Sequence, residues 1–119
     1  MVRRDPGEPF ARISVDEAYR MLQEEPDKVV IIDVRTPEEY QKGHVKGAYH
    51  IPVDRVLERI DELPRQKKLL FICQAGQRSA LAAEMAAAMG FPPDLLYNIE
   101  DGTPAWIERH YPTSYGNEK

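Results

Sequence analysis

The chain has 119 residues, a single cysteine and a formal charge of −4. This length suits one domain with its own hydrophobic core. The acidic balance, without a cluster of Lys or Arg, excludes the electrostatic surface typical of nucleic-acid-binding proteins. One cysteine and three scattered histidines provide neither a disulfide nor the ligand spacing of a metal site, so we expect no metal and no cofactor.

The amino-terminal stretch is polar and rich in turn-forming residues. It contains no apolar core of a secretory signal, and no apolar run in the chain reaches bilayer length. We therefore expect a cytoplasmic protein without a membrane partner. Residues 1–10, which carry two prolines, a glycine and mixed charges, are expected to be a loose lead-in.

The first predicted elements are a helix, a strand and a second helix. Ser14 and Glu17 have the spacing of a capping box, which predicts a helix that runs to about Gln23. Residues 29–32 form a β-branched run typical of a strand that is buried on both faces. Residues 36–39 form a second capping box with proline at the first helical position, and they predict a short helix.

The second half of the chain continues this alternation. It predicts a short strand over 48–51, an amphipathic helix over 54–63, a strand over 69–72, a helix over 79–89, a strand over 95–99 and a final helix that starts at Thr103. Alternating strands and helices predict βαβ units with right-handed crossovers and a parallel sheet. We expect the domain to cover residues 11–112, followed by a frayed tail over 113–119.

The surroundings of Cys73 carry the strongest chemical signal. This cysteine ends an apolar strand and precedes a short glycine-containing loop and a helix. Open α/β sheets place ligands at the carboxyl ends of their strands, and small residues let a loop backbone approach a ligand closely. We therefore expect Cys73 to face a ring of backbone amides, with Ser79 capping the first helical turn. The residues expected to line this ring are Gln74, Ala75, Gly76, Gln77, Arg78 and Ser79.

Such a ring would favour the thiolate form of the cysteine. Lowering its pKa from about 8.5 to about 6.5 requires about 2.7 kcal/mol. A helix terminus supplies about 0.3–1 kcal/mol, whereas each hydrogen bond to a charged group contributes about 1.5–3 kcal/mol. The loop amides should dominate, with Arg78 adding a cation beside a sulfur anion. A lone cysteine after a strand can also be an inert buried hydrophobe, but the glycine, the arginine and the helix start favour a reactive thiolate.

Other polar residues are predicted on the same edge of the sheet. Asp33 and Arg35 follow the strand over 29–32, so they should lie on the same rim as Cys73 if the two strands are parallel. We expect them to support the site, with Arg35 in a structural ion pair with Glu39. His44 is interpreted as a structural hydrogen-bonding residue and not as a general base.

The Cys73 to Ser79 segment resembles the active-site loop of rhodanese-type sulfurtransferases, in which the cysteine carries a persulfide. The resemblance extends over roughly residues 12 to 112. Further matching segments are Asp33-Val34-Arg35, Glu39-Tyr40, Gly43-His44-Val45, Gly47-Ala48, Ile51-Pro52, Glu100-Asp101-Gly102, Ala105-Trp106 and Tyr111-Pro112. Two positions depart from the family pattern: His50, where asparagine is common, and Asp101, where glycine is usual.

The resemblance implies a fold and an activity. The fold would be a three-layer α/β/α sandwich around a mostly parallel sheet of about five strands. The activity would be sulfur transfer through a Cys73 persulfide, with a small anionic donor such as thiosulfate. The acceptor would be cyanide, a small thiol or a thiol-bearing protein. In the family, the acid and arginine that match Asp33 and Arg35 brace loops beneath the active site.

Two other functions remain open at this stage. Cysteine-dependent phosphatases and arsenate reductases related to this fold also combine a cysteine and an arginine around an anion. In the phosphatases this loop is one residue longer than the six-residue loop from Cys73 to Arg78, which argues against phosphate and leaves an arsenate-reducing relative as an open alternative. A persulfide carrier or regulatory rhodanese module within a sulfur relay is the second alternative.

Overall fold

The computed structural model describes residues 2–119. The strands are β1 (Ala11–Ile13), β2 (Val29–Asp33), β3 (His44–Val45), β4 (Tyr49–His50), β5 (Lys68–Ile72), β6 (Leu96–Ile99) and β7 (Thr113–Ser114). The α-helices are α1 (Val15–Glu24), α2 (Pro37–Gln41), α3 (Gln77–Ala88) and α4 (Gly102–Glu108). Short 3₁₀ turns occupy Val53–Arg55, Ile60–Glu62 and Pro93–Leu95.

Five of the strands form one sheet in the order β1-β6-β5-β2-β4, and every neighbouring pair in it is parallel. The remaining strands, β3 and β7, form a small antiparallel pair. The predicted parallel sheet is therefore confirmed, with β5 and its trailing cysteine at the centre.

The two faces of the sheet carry separate hydrophobic cores. Along β5, Leu69 and Phe71 pack into one core, while Leu70 and Ile72 pack into the other. The first core is covered by α3 and the 3₁₀ turns, and the second by α1 and α4, where Trp106 is fully buried. A strand that is apolar on both sides requires cover on both faces, and the result is the predicted three-layer α/β/α sandwich.

Both predicted capping boxes are present. The Ser14 hydroxyl accepts the Glu17 amide at the start of α1, and the Glu17 carboxylate accepts the Ser14 amide in return. Thr36 and Glu39 make the same reciprocal pair at the start of α2. These local signals depend on residues three apart, which explains why the sequence reveals them.

The amphipathic helix predicted over 54–63 is wrong. The segment forms two 3₁₀ turns joined by further turns, with bonds such as Val56 N–H to the carbonyl of Val53 and Leu63 N–H to the carbonyl of Ile60. Val56, Ile60 and Leu63 are buried, whereas Leu57 is 51% exposed. The tighter three-residue bonding rotates the side chains away from the 3.6-residue period on which the prediction rested.

Parts of the predicted lead-in and tail, within residues 3–10 and 113–116, are paired with the rest of the domain. Arg3 exchanges two backbone hydrogen bonds with Arg12 in β1, and Phe10 is fully buried. At the other end, β7 pairs with β3, and the Gly116 amide donates to the carbonyl of Gln41. Backbone pairing of this kind is not encoded in local composition, which suggested only loose polar segments. Within residues 2–119, no helix is both long and apolar enough to cross a membrane.

Candidate active site

Cys73 lies at the carboxyl edge of the central strand. It follows Ile72, the last residue of β5, and Ile72 is in register with Asp33 at the end of β2. The structure therefore brings Cys73 and the Asp33 region to the same rim of the sheet, as the sequence predicted. The Cys73 residue itself is 1% exposed, so its thiol lies at the floor of the loop and not on its surface.

Two glycines with left-handed backbones shape this loop. Gly76 has φ +89°, and a Cβ at this position would lie 2.6 Å from the Glu100 carbonyl oxygen. Gly102 has φ +78°, and a Cβ there would lie 2.1 Å from the Gln74 carbonyl oxygen. A side chain at either position would be strained and would also collide with backbone. The glycines thus let the loop after β5 pack directly on the loop after β6.

The Cys73 sulfur receives hydrogen bonds from the backbone that surrounds it. The Gly76 amide donates to Sγ at 3.1 Å and the Ser79 amide at 3.4 Å. The neighbouring Ala75 amide also helps to lower the pKa of the thiol. This arrangement is the predicted ring of amides, placed at the start of the twelve-residue helix α3.

These contacts set the ionisation of the thiol. Burial raises the pKa of Cys73, but the Ser79 hydroxyl and the surrounding amides outweigh burial, so that the pKa lies below its ordinary value. The causes that lower the pKa are hydrogen bonds to the charged form, the Ser79 hydroxyl first and the backbone amides after it. The site can therefore hold a sulfur anion.

Ser79 does not serve as the expected helix cap. Its hydroxyl oxygen lies 3.2 Å from Cys73 Sγ and 2.6 Å from Asn98 Oδ1. The Asn98 amide nitrogen donates to the Gly76 carbonyl at 3.1 Å, which turns Oδ1 toward the hydroxyl. Ser79 and Asn98 are both fully buried. Gly76 occupies the N-cap position of α3 instead.

Asn98 is a residue of the site that the sequence reasoning missed. It stands in the middle of strand β6, where it is in register with Phe71 of β5. Asparagine is uncommon inside strands, and a buried one is normally fully hydrogen-bonded. Its position within the apolar run over 95–99 could have revealed it. An asparagine in such a run indicates a buried hydrogen-bond partner elsewhere in the fold.

Arg78 is turned toward Glu39 and not toward the sulfur. Its two terminal nitrogens donate to the two Glu39 carboxylate oxygens at 2.7 and 2.9 Å. The pair holds the pKa of Glu39 down to about 2, chiefly through the Arg78 hydrogen bonds. Arg78 still lies close enough to Cys73 for a thiolate there to raise the pKa of the guanidinium.

The predicted ion pair between Arg35 and Glu39 is wrong. Arg35 pairs with Asp33, with Nη2 to Oδ2 at 2.7 Å, and the same nitrogen donates to the Gly43 carbonyl at 2.8 Å. Both charged side chains are buried. Glu39 pairs with Arg78 because the two side chains make two parallel hydrogen bonds. Arg35 pairs instead with the buried carboxylate of Asp33, two residues before it. The pair ties the end of β2 to the turn before β3.

Most of the remaining loop residues face solvent. Gln74, Ala75 and Gln77 are exposed, while Gly76 is buried. The neutral Gln74 and Gln77 side chains leave the mouth of the loop without charge of their own.

His44 and His50 both have structural contacts. The ring nitrogens of His44 face the carbonyl oxygens of Tyr40 and Glu118. The His50 ring contacts the carbonyl oxygen of Arg35 at 2.8 Å, and Tyr40 stacks between the two histidine rings. His50 thus makes a side-chain contact to the loop after β2 at the position where the family commonly has asparagine.

Asp101 has a negative φ at the position where the family usually has glycine. Its φ is −87°, and the positive φ is carried by Gly102. The Asp101 carboxylate accepts the Val15 amide at 2.9 Å. This departure from the family pattern therefore ties the loop after β6 to the start of α1.

Comparisons with known proteins agree with this geometry. Residues 14–109 match the model of the family described as the rhodanese-like domain. The chain is 34% identical over 90 residues to the candidate sulfur carrier protein YrkF of Bacillus subtilis, which corresponds to 76% of this chain and 48% of that protein. The chain thus spans about half the length of this curated relative.

Solved structures give the same result. A rhodanese-like domain protein from Staphylococcus aureus is 34% identical, with a TM-score of 0.71 over 80% of this chain and 89% of that chain. A structure described as a rhodanese with anions from E. coli is 32% identical, with a TM-score of 0.61 over 74% of this chain and 99% of that chain. By its sequence match, its sheet and its cysteine loop, the chain belongs to the rhodanese-like domain family.

Proposed function

We propose that this protein is a sulfurtransferase that carries sulfane sulfur on Cys73. The observation that carries the proposal is the contact of Cys73 Sγ with the amides of Gly76 and Ser79, inside a loop closed around one sulfur atom. This environment lowers the pKa of the thiol, and the thiolate is the nucleophilic form of cysteine.

The proposed first step is an attack on the donor. The Cys73 thiolate attacks the outer sulfur of thiosulfate, so that a new sulfur–sulfur bond forms on the cysteine. The bond between that sulfur and the rest of the donor breaks, and its electron pair leaves with sulfite. In the second step an acceptor nucleophile takes the outer sulfur and returns the electron pair to Cys73.

The loop residues have distinct proposed roles. The amides around Cys73 stabilise the thiolate and the persulfide anion, while Gln74 and Gln77 border the exposed entrance. Asp33 and Arg35 are supporting residues that brace the neighbouring turn. Arg78 acts at a distance through its charge, because Glu39 occupies its hydrogen-bonding edge.

The size of the loop favours sulfur over phosphate. Cys73 to Arg78 spans six residues, and the enclosed cysteine is 1% exposed. A phosphoryl group brings three oxygens that each need donors, whereas a sulfane sulfur adds a single atom. We therefore place the phosphatase or arsenate reductase function behind sulfur transfer.

The donor and acceptor are part of the proposal. Thiosulfate is the proposed donor, and cyanide, a small thiol or a thiol-bearing protein is the acceptor, in a reducing compartment such as the cytoplasm. The relative YrkF, a candidate sulfur carrier, supports persulfide carriage as the form in which the sulfur is held. These 119 residues contain no second cysteine that could take the sulfur from Cys73, so the proposed acceptor lies outside them.

A turnover assay tests the proposal. Release of sulfite from thiosulfate and formation of thiocyanate from cyanide are measured for the wild type, Cys73→Ala and Cys73→Ser. Leu57→Ala, at an exposed residue of the 3₁₀ segment, is the surface control. We expect turnover in the wild type and the control only. Turnover that persists in Cys73→Ala would exclude Cys73 as the carrier.

A further inference from the structure

A cavity of about 620 Å³ lies beside the cysteine loop. Its walls are the end of helix α2 with the following Gly43 and one face of helix α4, and Gln74 of the cysteine loop borders it. This volume lies in the usual range of small-molecule pockets, which is about 300–1,000 Å³. Cys73 is not among the lining residues. The cavity is therefore a neighbour of the sulfur site and not the sulfur site itself.

Four charged residues line this cavity, and only two of them have ion-pair partners within the described chain. Arg35 and Glu39 line it, but each is neutralised by a partner outside it: Asp33 for Arg35 and Arg78 for Glu39. Lys42 and Glu108 also line it. Both are exposed, and neither forms an ion pair with any residue between positions 2 and 119. Among the described lining residues, Lys42, the residue that caps α2, is thus an unpaired cation, and Glu108, the last residue of α4, is an unpaired anion.

Two further groups of the lining have unused hydrogen-bonding capacity. The Thr103 hydroxyl oxygen is the one buried side-chain polar atom in the described part of the chain that has no hydrogen-bond partner. Arg35 uses Nε and Nη2 in its contacts, and its Nη1 bonds to no described residue. An unsatisfied buried group costs free energy, so both groups gain if a polar ligand occupies the cavity and Thr103 rotates toward it.

We propose that this cavity binds the sulfur acceptor, and that the acceptor is a zwitterionic thiol of the amino-acid type. Lys42 contacts its carboxylate and Glu108 contacts its ammonium group. A dianionic donor such as thiosulfate gains nothing from Glu108, so the charge pattern selects a molecule with both signs. This assignment deepens the proposed function and rests on it for its role in turnover.

The position of the cavity fits a transfer step. An acceptor held there directs its sulfur past Gln74 toward Cys73. Its thiolate attacks the outer sulfur of the persulfide, the bond from that sulfur to Cys73 Sγ breaks, and Sγ keeps the electron pair as a thiolate. The proton that the acceptor thiol gives up ends on the product persulfide or passes to solvent, so no further oxidant or reductant is needed.

Binding can be measured without any sulfur chemistry. S-methyl-L-cysteine, which has no thiol, is titrated into the whole chain and followed by amide NMR shifts of the α2 and α4 residues. Two matched probes are 3-(methylthio)propionate, which lacks the ammonium group, and 2-(methylthio)ethylamine, which lacks the carboxylate. We expect S-methyl-L-cysteine to bind about two- to fivefold more tightly than either probe, as exposed charge contacts allow.

Two variants test the two charged contacts, and a third tests the Thr103 hydroxyl. Lys42→Gln should remove the advantage of S-methyl-L-cysteine over the ethylamine, and Glu108→Gln should remove its advantage over the propionate. Thr103→Val should weaken all probes without lowering the melting temperature, because the hydroxyl has no partner to lose. Lys46→Gln, at an exposed lysine outside the cavity lining, is the matched control.

The outcomes separate this inference from the proposed function. Equal affinity for the three probes, absence of shifts around the cavity, or unchanged preferences in Lys42→Gln and Glu108→Gln would overturn the acceptor site. If the cavity binds S-methyl-L-cysteine selectively while Cys73 never accepts sulfur, the proposed function fails and the binding site stands. If Cys73 carries sulfur but the three probes bind alike, the acceptor assignment fails alone.

Discussion

Arg78 and Glu39 form a bidentate ion pair beside the Cys73 loop, with nitrogen–oxygen distances of 2.7 and 2.9 Å. The pair joins the first turn of α3 to α2. Because both terminal guanidinium nitrogens donate to the carboxylate, the fork of donors is not directed at the sulfur. The charge of Arg78 near Cys73 is therefore largely balanced by Glu39.

Glu39→Gln should improve the use of an anionic donor. The substitution removes the negative charge that balances Arg78 and loosens the hold on its guanidinium. We expect the KM for thiosulfate to fall about two- to fivefold, the range of a partly exposed charge interaction. Steady-state kinetics at constant ionic strength measures this effect. A KM that is unchanged or higher would show that the Glu39 charge does not weaken the binding of an anionic donor.

Arg78→Gln supplies the matched control for this pair. Alone it leaves Glu39 unbalanced beside the loop, so the KM for thiosulfate should rise. In the double variant with Glu39→Gln, part of that loss should be recovered, because no uncompensated carboxylate remains. The pKa of Glu39 is about 2, well below the ordinary 4.5, so the pair stays ionised at neutral pH and is lost only as the pH falls toward 2.

The ionisation of Cys73 should be visible in its alkylation rate. The folded-state pKa is lowered, so the rate of reaction with iodoacetamide should reach its plateau at a lower pH than for an unfolded control peptide. The lowered pKa of Cys73 also makes the stability of the fold depend on pH. The thiolate contribution is fully present above the unfolded pKa and is lost as the pH falls through the folded pKa. A midpoint at or above that of the peptide would contradict the amide ring.

Ser79 and Asn98 should move this midpoint in opposite directions. The hydroxyl of Ser79 has one hydrogen, which can be donated either to Asn98 Oδ1 or to the Cys73 thiolate. Ser79→Ala removes the donor and should raise the thiol pKa. Asn98→Ala removes the competing acceptor and should lower it, while the Gly76 carbonyl loses its partner at a cost of about 1–3 kcal/mol. Equal midpoints in both variants would reduce Asn98 to a packing residue.

Gly102→Ala should damage the loop far more than the backbone penalty alone. Its Cβ would lie 2.1 Å from the Gln74 carbonyl oxygen at a φ of +78°. Gly47→Ala is the control, since Gly47 has φ +83° but no atom within 4 Å of an added Cβ. A left-handed alanine costs about 1–2 kcal/mol, so Gly47→Ala should lose only that. Similar melting temperatures and activities in the two variants would show that the contact with Gln74 does not shape the site.

Several features that depend on residues close together in the sequence were predicted correctly. The capping boxes at Ser14 and Thr36 join residues three apart, and both are present as predicted. The loop from Cys73 to Ser79 is also local, and its amides surround the sulfur. Such features are encoded in short segments, which sequence reasoning can read directly.

Choices among long-range partners could not be predicted in the same way. Glu39 had two arginines within reach, Arg35 and Arg78, and only the packing of α2 against the cysteine loop assigns it to Arg78. The contact of Asn98 with Ser79 joins residues nineteen positions apart on different elements. The tail strand β7 pairs with β3 across most of the chain, which its polar composition did not indicate.

Intact-mass analysis of the purified protein after incubation with thiosulfate tests the central claim most directly. The account predicts that the wild type gains the mass of one sulfur atom, located on Cys73 by peptide mapping and removed by an added thiol. Cys73→Ala should gain nothing under the same conditions. A wild type that stays unmodified, or a sulfur atom that is added equally to Cys73→Ala, would contradict persulfide formation at this cysteine.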